Sequence, residues 1–137
     1  MSVKIISLAA LAAVAFATPL FAHHSLAMFN QEQTVTLTGT VKELEWIQPH
    51  SWMHMVINDA NGRPQNWAFE MGGIGQLTQQ GWTKDMVKPG DTLSITVHPL
   101  KDGSRGGQYL GAQLASGKTF RFEQAAGGGN VIGGGGQ

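Results

Sequence analysis

"TVTLTGTVK", residues 34 to 42, alternates threonine or lysine with Val35, Leu37, Gly39 and Val41. A period of two in β-branched residues is the pattern of a strand with one face buried and the other in water. Gly39 interrupts the apolar face, and a glycine inside a strand marks a bulge or a sharp coil. A first strand that coils in this way can serve two sides of a barrel.

Working outward, Gln48-Pro49 ends the segment and Ser51 to Asn58 resumes as a second strand. Met53, Met55 and Ile57 fall on one of its faces, and Trp52, His54 and Val56 on the other. Asp59-Ala60-Asn61-Gly62 reads as a hairpin turn through its Asn-Gly pair, with Gln65 to Met71 returning. Gly72-Gly73 breaks the β pattern, and Ile74 to Trp82 is expected to form a short helix ending at Gly81, with Ile74, Leu77 and Trp82 turned inward. Pro89-Gly90-Asp91 turns into a fourth strand, Thr92 to Pro99. Residues 101 to 107 form a polar loop, Gln108 to Leu114 a fifth strand, and Ser116-Gly117 turns into Lys118 to Phe122. The expected fold over residues 34–123 is all-β with one short helix, an OB-type small five-stranded barrel, with a β-sandwich as the alternative. Such barrels carry many activities, so function has to be argued from the site.

The flanks are of another kind. Lys4, the apolar run Ile5 to Phe16, and Leu20-Phe21-Ala22 have the order of a secretory signal peptide over residues 1–22. A transmembrane helix is the competing reading; Pro19 and the lack of a basic flank weigh against it. Cleavage after Ala22 makes His23 the first mature residue, opening an N-terminal segment over residues 23–33. The tail "QAAGGGNVIGGGGQ", residues 124–137, has nothing to bury and is expected to be disordered.

Loss of the leader leaves 115 of 137 residues, enough for one modest domain with one core. The whole chain balances nine basic against nine acidic residues, and losing Lys4 brings the mature side chains to minus one. No basic field is available for nucleic acid or an anionic membrane. The chain has no cysteine, which excludes disulfides, thiolate metal sites and covalent haem attachment. Any metal must be held by nitrogen, oxygen or thioether sulfur.

Five stretches carry a family likeness: "AHHS" at 22–25, "GTVKELEWIQPHSW" at 39–52, "DANGRPQNWAFE" at 59–70, "GW" at 81–82 and "KPGD" at 88–91. In these the chain resembles the DUF6152 family of small exported bacterial proteins, over roughly residues 22 to 120. The family's usual Asn-Pro-His stands here as Gln48-Pro49-His50, which keeps an amide and alters a turn rather than a ligand. The family has no established activity, so the resemblance supports the domain boundaries and leaves function to the residues.

A mature N-terminal His23 offers its α-amine and its imidazole to one ion, and a second histidine would complete a T-shaped copper site. This arrangement resembles the histidine brace of exported copper proteins. In reference peptides the amine titrates near about 8 and imidazole near about 6.5, so neutral pH leaves usable ligands. His24 adds another nitrogen. A cut after Phe21 instead would put His23 second and His24 third, the latter a well-known copper-chelating position. The plain alternative is that both histidines are only a soluble start to a secreted domain. Against it stand His50 after Pro49, His54 four residues on, and His98 before Pro99. A His/Met set without cysteine suits copper, with zinc or nickel next.

Residues four apart on a regular strand lie about 13 Å apart, so His50 and His54 are poor joint ligands. His50 is the favoured partner imidazole, His54 ranks second, and His98 reads as a solvated strand residue. Met53 and Met55 alternate with His54 and read as core. Glu70 is a possible ligand or an acceptor that orients a histidine. Trp52 and Trp67 are the candidates for an aromatic ligand face.

Hydrolysis finds no support: Ser25 and Ser51 neighbour histidines in sequence only, and the glycines at 72, 73 and 75 precede no phosphate-binding lysine. No catalytic residue is assigned. The leading expectation is a periplasmic or secreted metal carrier or scavenger, most simply for copper. An OB-type module binding a protein, peptide or saccharide through an aromatic face is the alternative, and a copper-dependent oxidase a third. A periplasmic protein partner fits the second reading.

Overall fold

Val35–Glu45 forms the first strand, β1, in the computed structural model, which describes residues 26–121. The expected leader, His23, His24 and the glycine-rich tail lie outside the described residues. The first half of β1, Val35–Thr40, pairs antiparallel with β4 (Thr92–Pro99), and the second, Thr40–Glu45, with β2 (Trp52–Asn58). One strand thus belongs to two sides of the molecule, as the alternation around Gly39 anticipates.

The bulge itself is not at Gly39. The register breaks between Val41 and Glu43, leaving Lys42 as the extra residue. Gly39 answers a different need: a Cβ there would lie 2.5 Å from the Val56 carbonyl oxygen and 2.6 Å from Ile57 Cγ1. Only a bare backbone lets β1 lie that close to β2.

β2 turns through Asp59–Gly62 into β3 (Pro64–Glu70). The Asp59 carboxylate accepts the backbone N–H groups of Asn61 and Arg63 and the side-chain N–H groups of Arg63 and Gln65. These bonds, the Arg63 backbone N–H foremost, hold that carboxyl below its usual range. Helix α1 is shorter than its apolar spacing suggests, Ile74–Gln79, because Gly81 at φ +93° turns the chain and sends Trp82 off the helix into the core.

β5 (Gly106–Leu114) pairs antiparallel with β4 and, through Gly106–Gln108, parallel with Ala68–Glu70 of β3. That last pairing closes a mixed barrel in the order β1-β2-β3-β5-β4, with a short β6 (Thr119–Arg121) added to β5. The OB-type barrel is therefore the fold, and the two-sheet alternative falls because the sheet closes on itself.

Inside it Met53, Met55, Phe69, Leu77, Ile95 and Val97 are fully buried. Trp82 stacks on Phe120 at 4.5 Å, meets Tyr109 edge-on at 6.1 Å, and donates its indole N–H to Tyr109 Oη at 3.0 Å. Burial pushes the Tyr109 hydroxyl up to about 12 from 10.0, with the Trp82 bond acting the other way. The sign follows from which state ionises first. Below about pH 10 both states hold the proton, and above it the unfolded chain loses its proton before the folded one does. Stability is expected to fall by about 2 to 3 kcal/mol between pH 10 and 12 through this group. Urea denaturation across that range should show the loss, and Tyr109→Phe should remove it; an equal loss in Tyr109→Phe would contradict the assignment.

Candidate functional site

The bulge at Lys42 changes which residues of β1 face water. Up to Val41 the odd positions point inward; past the bulge Leu44 packs against the core, while Glu43 and Glu45 lie opposite His54 and Trp52 on the outer face. Reading β1 as an unbroken alternation misses these carboxylates. Register then carries one outward row around the barrel: Glu45 beside Trp52, Trp52 beside Glu70, Glu70 beside Gln108, and Gln108 beside His98.

Two histidines meet carboxylates of this row, one on each side of Trp52. His50 Nδ1 stands 2.6 Å from Glu70 Oε1, with 46% of the imidazole side chain exposed and 14% of the glutamate. His54 Nε2 stands 3.2 Å from Glu45 Oε1. Both are contacts of proximity without hydrogen-bond alignment, and His54 Nε2 has no access to water.

The loop presenting His50 is built by its neighbours. Ser51 is fully buried; its hydroxyl donates to the Ile47 carbonyl at 3.0 Å and accepts the Ile47 N–H at 3.3 Å. Its backbone N–H donates to Gly72 O and its carbonyl accepts from Met71 N–H. A Cβ on Gly73 would lie 2.6 Å from Gln48 Oε1 and 2.7 Å from the Pro49 carbonyl oxygen, so that glycine lets the turn after β3 lie against the Gln48-Pro49 loop. Ser51 thus ties the loop to both the Ile47 backbone and the turn after β3. His50 is left at the rim with Nδ1 close to the Glu70 carboxylate.

Among the described residues no three histidine, aspartate or glutamate side chains converge as a metal-holding group. His50 and His54 each lie against a different carboxylate, Glu70 and Glu45. Met53 and Met55 lie in the core, as their alternation implies. Trp67 does not join Trp52: it lies opposite Met55 on the inner face, stacks on Phe69 at 5.9 Å and packs against the core. The expected aromatic face therefore reduces to Trp52, since Trp46 and Trp82 also pack inward. The cause is parity, because Trp67 and Trp52 occupy positions of opposite phase in paired strands.

His98 departs from its reading as a free strand residue. Partly buried, its Nδ1 lies 2.8 Å from the Gln33 carbonyl oxygen. A carbonyl only accepts, so Nδ1 carries the proton and a neutral ring keeps its lone pair on Nε2. Spacing within one strand gives no sign of this bond, which joins residues far apart in sequence.

Fold and site together define a small OB-type barrel with a histidine–carboxylate row on its outer face. The chain belongs to a family of unknown function, DUF6152, whose model matches residues 10–109. That span takes in His23, His24, His50, His54, Glu70, His98 and Gln108. Comparison with curated proteins finds no match.

Proposed function

We propose that this protein is an exported metal-binding protein, a carrier or scavenger of copper, with His23 and His24 at the mature terminus supplying nitrogen ligands and His50 the partner imidazole. The reading is supported above all by the His50–Glu70 contact at 2.6 Å. Histidines that ligate metals commonly turn their second ring nitrogen toward a carboxylate, which fixes the ring and raises its basicity. An exposed imidazole beside a carboxylate has the parts of that arrangement, with Nε2 for the ion. Zinc and nickel accept the same donors, and the absence of thiolates leaves copper as the first choice. His54, with Nε2 shielded beside Glu45, ranks below His50.

The interaction-module reading has a narrower basis, since Trp52 is the one tryptophan on the outer face among the described residues. Export to the periplasm or beyond is part of the proposal and rests on the leader expected over residues 1–22.

A variant series tests the ligand assignment. His50→Ala should weaken Cu(II) binding markedly, Glu70→Ala by roughly 10–100-fold through loss of the orienting partner, and His54→Ala little. Competition titration against a chromophoric chelator reads all three. Unchanged affinity in both His50→Ala and Glu70→Ala would remove His50 from the site.

A further inference from the structure

Two glycines in left-handed turn positions directly follow a residue with a γ-carbonyl carbon: Gly62 after Asn61 and Gly103 after Asp102. The backbone nitrogen of the next residue can attack such a carbon and close a five-membered imide, and a following glycine puts no Cβ in the way. The two positions differ in their electrophile. The Ser104 backbone N–H donates to the Asp102 carboxylate at 2.9 Å and holds its carboxyl below the usual range, so Asp102 presents an anion that resists a nucleophile. Asn61 presents a neutral amide. Of the described asparagines, Asn30, Asn58, Asn61 and Asn66, only Asn61 precedes a glycine.

Asn61 is exposed at the tip of the β2–β3 hairpin, and a Cβ on Gly62, at φ +76°, would meet nothing within 4 Å. No neighbour blocks the approach. What opposes it is the bonding of the turn itself. The Gly62 N–H, whose nitrogen is the nucleophile, donates to the Asp59 carbonyl at 2.9 Å. On either side the Asn61 and Arg63 N–H groups donate to the Asp59 carboxylate at 2.9 and 3.0 Å, and the Arg63 and Gln65 side chains add two further bonds to it. The nitrogen must leave the Asp59 carbonyl before it can reach Asn61 Cγ, so the turn has to open, and Asp59 holds it shut.

We propose that Asn61 is a self-modification site, an amide that converts to isoaspartate and aspartate at a rate governed by Asp59. The Gly62 nitrogen gives its proton to hydroxide and bonds to Asn61 Cγ; the bond from Cγ to the side-chain nitrogen breaks, and ammonia leaves with a proton from water. Water then opens the imide. Opening at Cγ restores the backbone and leaves aspartate, whereas opening at the main-chain carbonyl leaves the chain running through Cγ as isoaspartate. The sum is amide plus water giving carboxylic acid plus ammonia, with no oxidant or cofactor. Isoaspartate lengthens the backbone by one carbon where the bonds to Asp59 require the native spacing, and either product adds a negative charge near Asp59. The tip loosens, while the ladder from Trp52–Glu70 to Asn58–Pro64 anchors the rest of the hairpin. The modification accumulates with the age of the chain.

Purified chain held at mildly alkaline pH, sampled over weeks, digested and compared with synthetic peptides carrying each isomer by mass and retention tests this. The wild type should gain isoaspartate at residue 61 ahead of any change at Asn30, Asn58, Asn66 or Asp102. Asp59→Ala should convert about tenfold faster, the scale of a net hydrogen bond lost from the closed turn. Wild-type chain unfolded in urea should also convert faster than the folded chain, which tests the brake without any substitution. Amide exchange at Met53 and Met55 should be the same in Asp59→Ala and wild type, showing that the barrel is intact. An Asn61 that stays intact in the folded wild type, or that changes later than another described asparagine, would overturn the site. Equal rates in folded and unfolded wild type, or in wild type and a folded Asp59→Ala, would overturn the control by Asp59.

Discussion

Trp82→Ala is expected to destabilise the barrel by about 3–5 kcal/mol, the cost of deleting a buried indole and leaving a cavity. Trp82 is 1% exposed and touches both aromatic neighbours that close this part of the core, Phe120 at 4.5 Å and Tyr109 at 6.1 Å. The substitution also strips the buried Tyr109 hydroxyl of the N–H it accepts at 3.0 Å. An orphaned polar group in a dry interior adds to the loss of packing. Domains of this size are stable by only about 5–15 kcal/mol, so the variant should stand near the edge of folding at room temperature. Trp82→Phe keeps most of the volume while losing the hydrogen bond and should cost clearly less. Urea denaturation followed by the fluorescence of the other tryptophans measures both; a loss under about 1 kcal/mol for Trp82→Ala would contradict this account of the core.

How much of this was legible in the sequence depends on the range of the interaction. Alternation in Val35–Val41, Trp52–Asn58 and Thr92–Pro99 reports burial residue by residue, and it places the strands and the core methionines correctly. The Asn61-Gly62 turn is equally local. Barrel closure through the parallel β3–β5 pairing joins residues about forty apart, and only the order of elements hints at it. The site is harder to read because it depends on phase. One extra residue at Lys42 moves Glu43 and Glu45 to the outer face, and opposite phase in paired strands separates Trp67 from Trp52. Glu70 as the partner of His50 was legible as a residue type and a possibility, and their pairing needed the Ser51 and Gly73 contacts that shape the loop. The His98–Gln33 bond had no sequence signal at all.

The second large effect concerns the terminus. One additional residue before His23 converts the α-amine into an amide, which removes the nitrogen proposed as a ligand and changes no side chain. Loss of an orienting partner alone costs roughly 10–100-fold in metal affinity, and loss of a ligand must cost more. Cu(II) affinity of the extended chain is therefore expected to fall on the order of a hundredfold or more, about 3 kcal/mol. Protons compete for the same nitrogens, so affinity of the authentic chain should decline as pH drops through the amine and imidazole ranges, about 8 and 6.5 in reference peptides. The extended chain should lack the part of that decline that belongs to the amine.

Calorimetric titration of Cu(II) into the chain beginning at His23, and into the same chain with one residue added before it, puts the two side by side, with intact mass fixing each terminus. The account predicts about one ion bound per authentic chain and much weaker binding to the extended one. Equal affinities would mean that His23 and His24 are only a soluble start to the barrel domain.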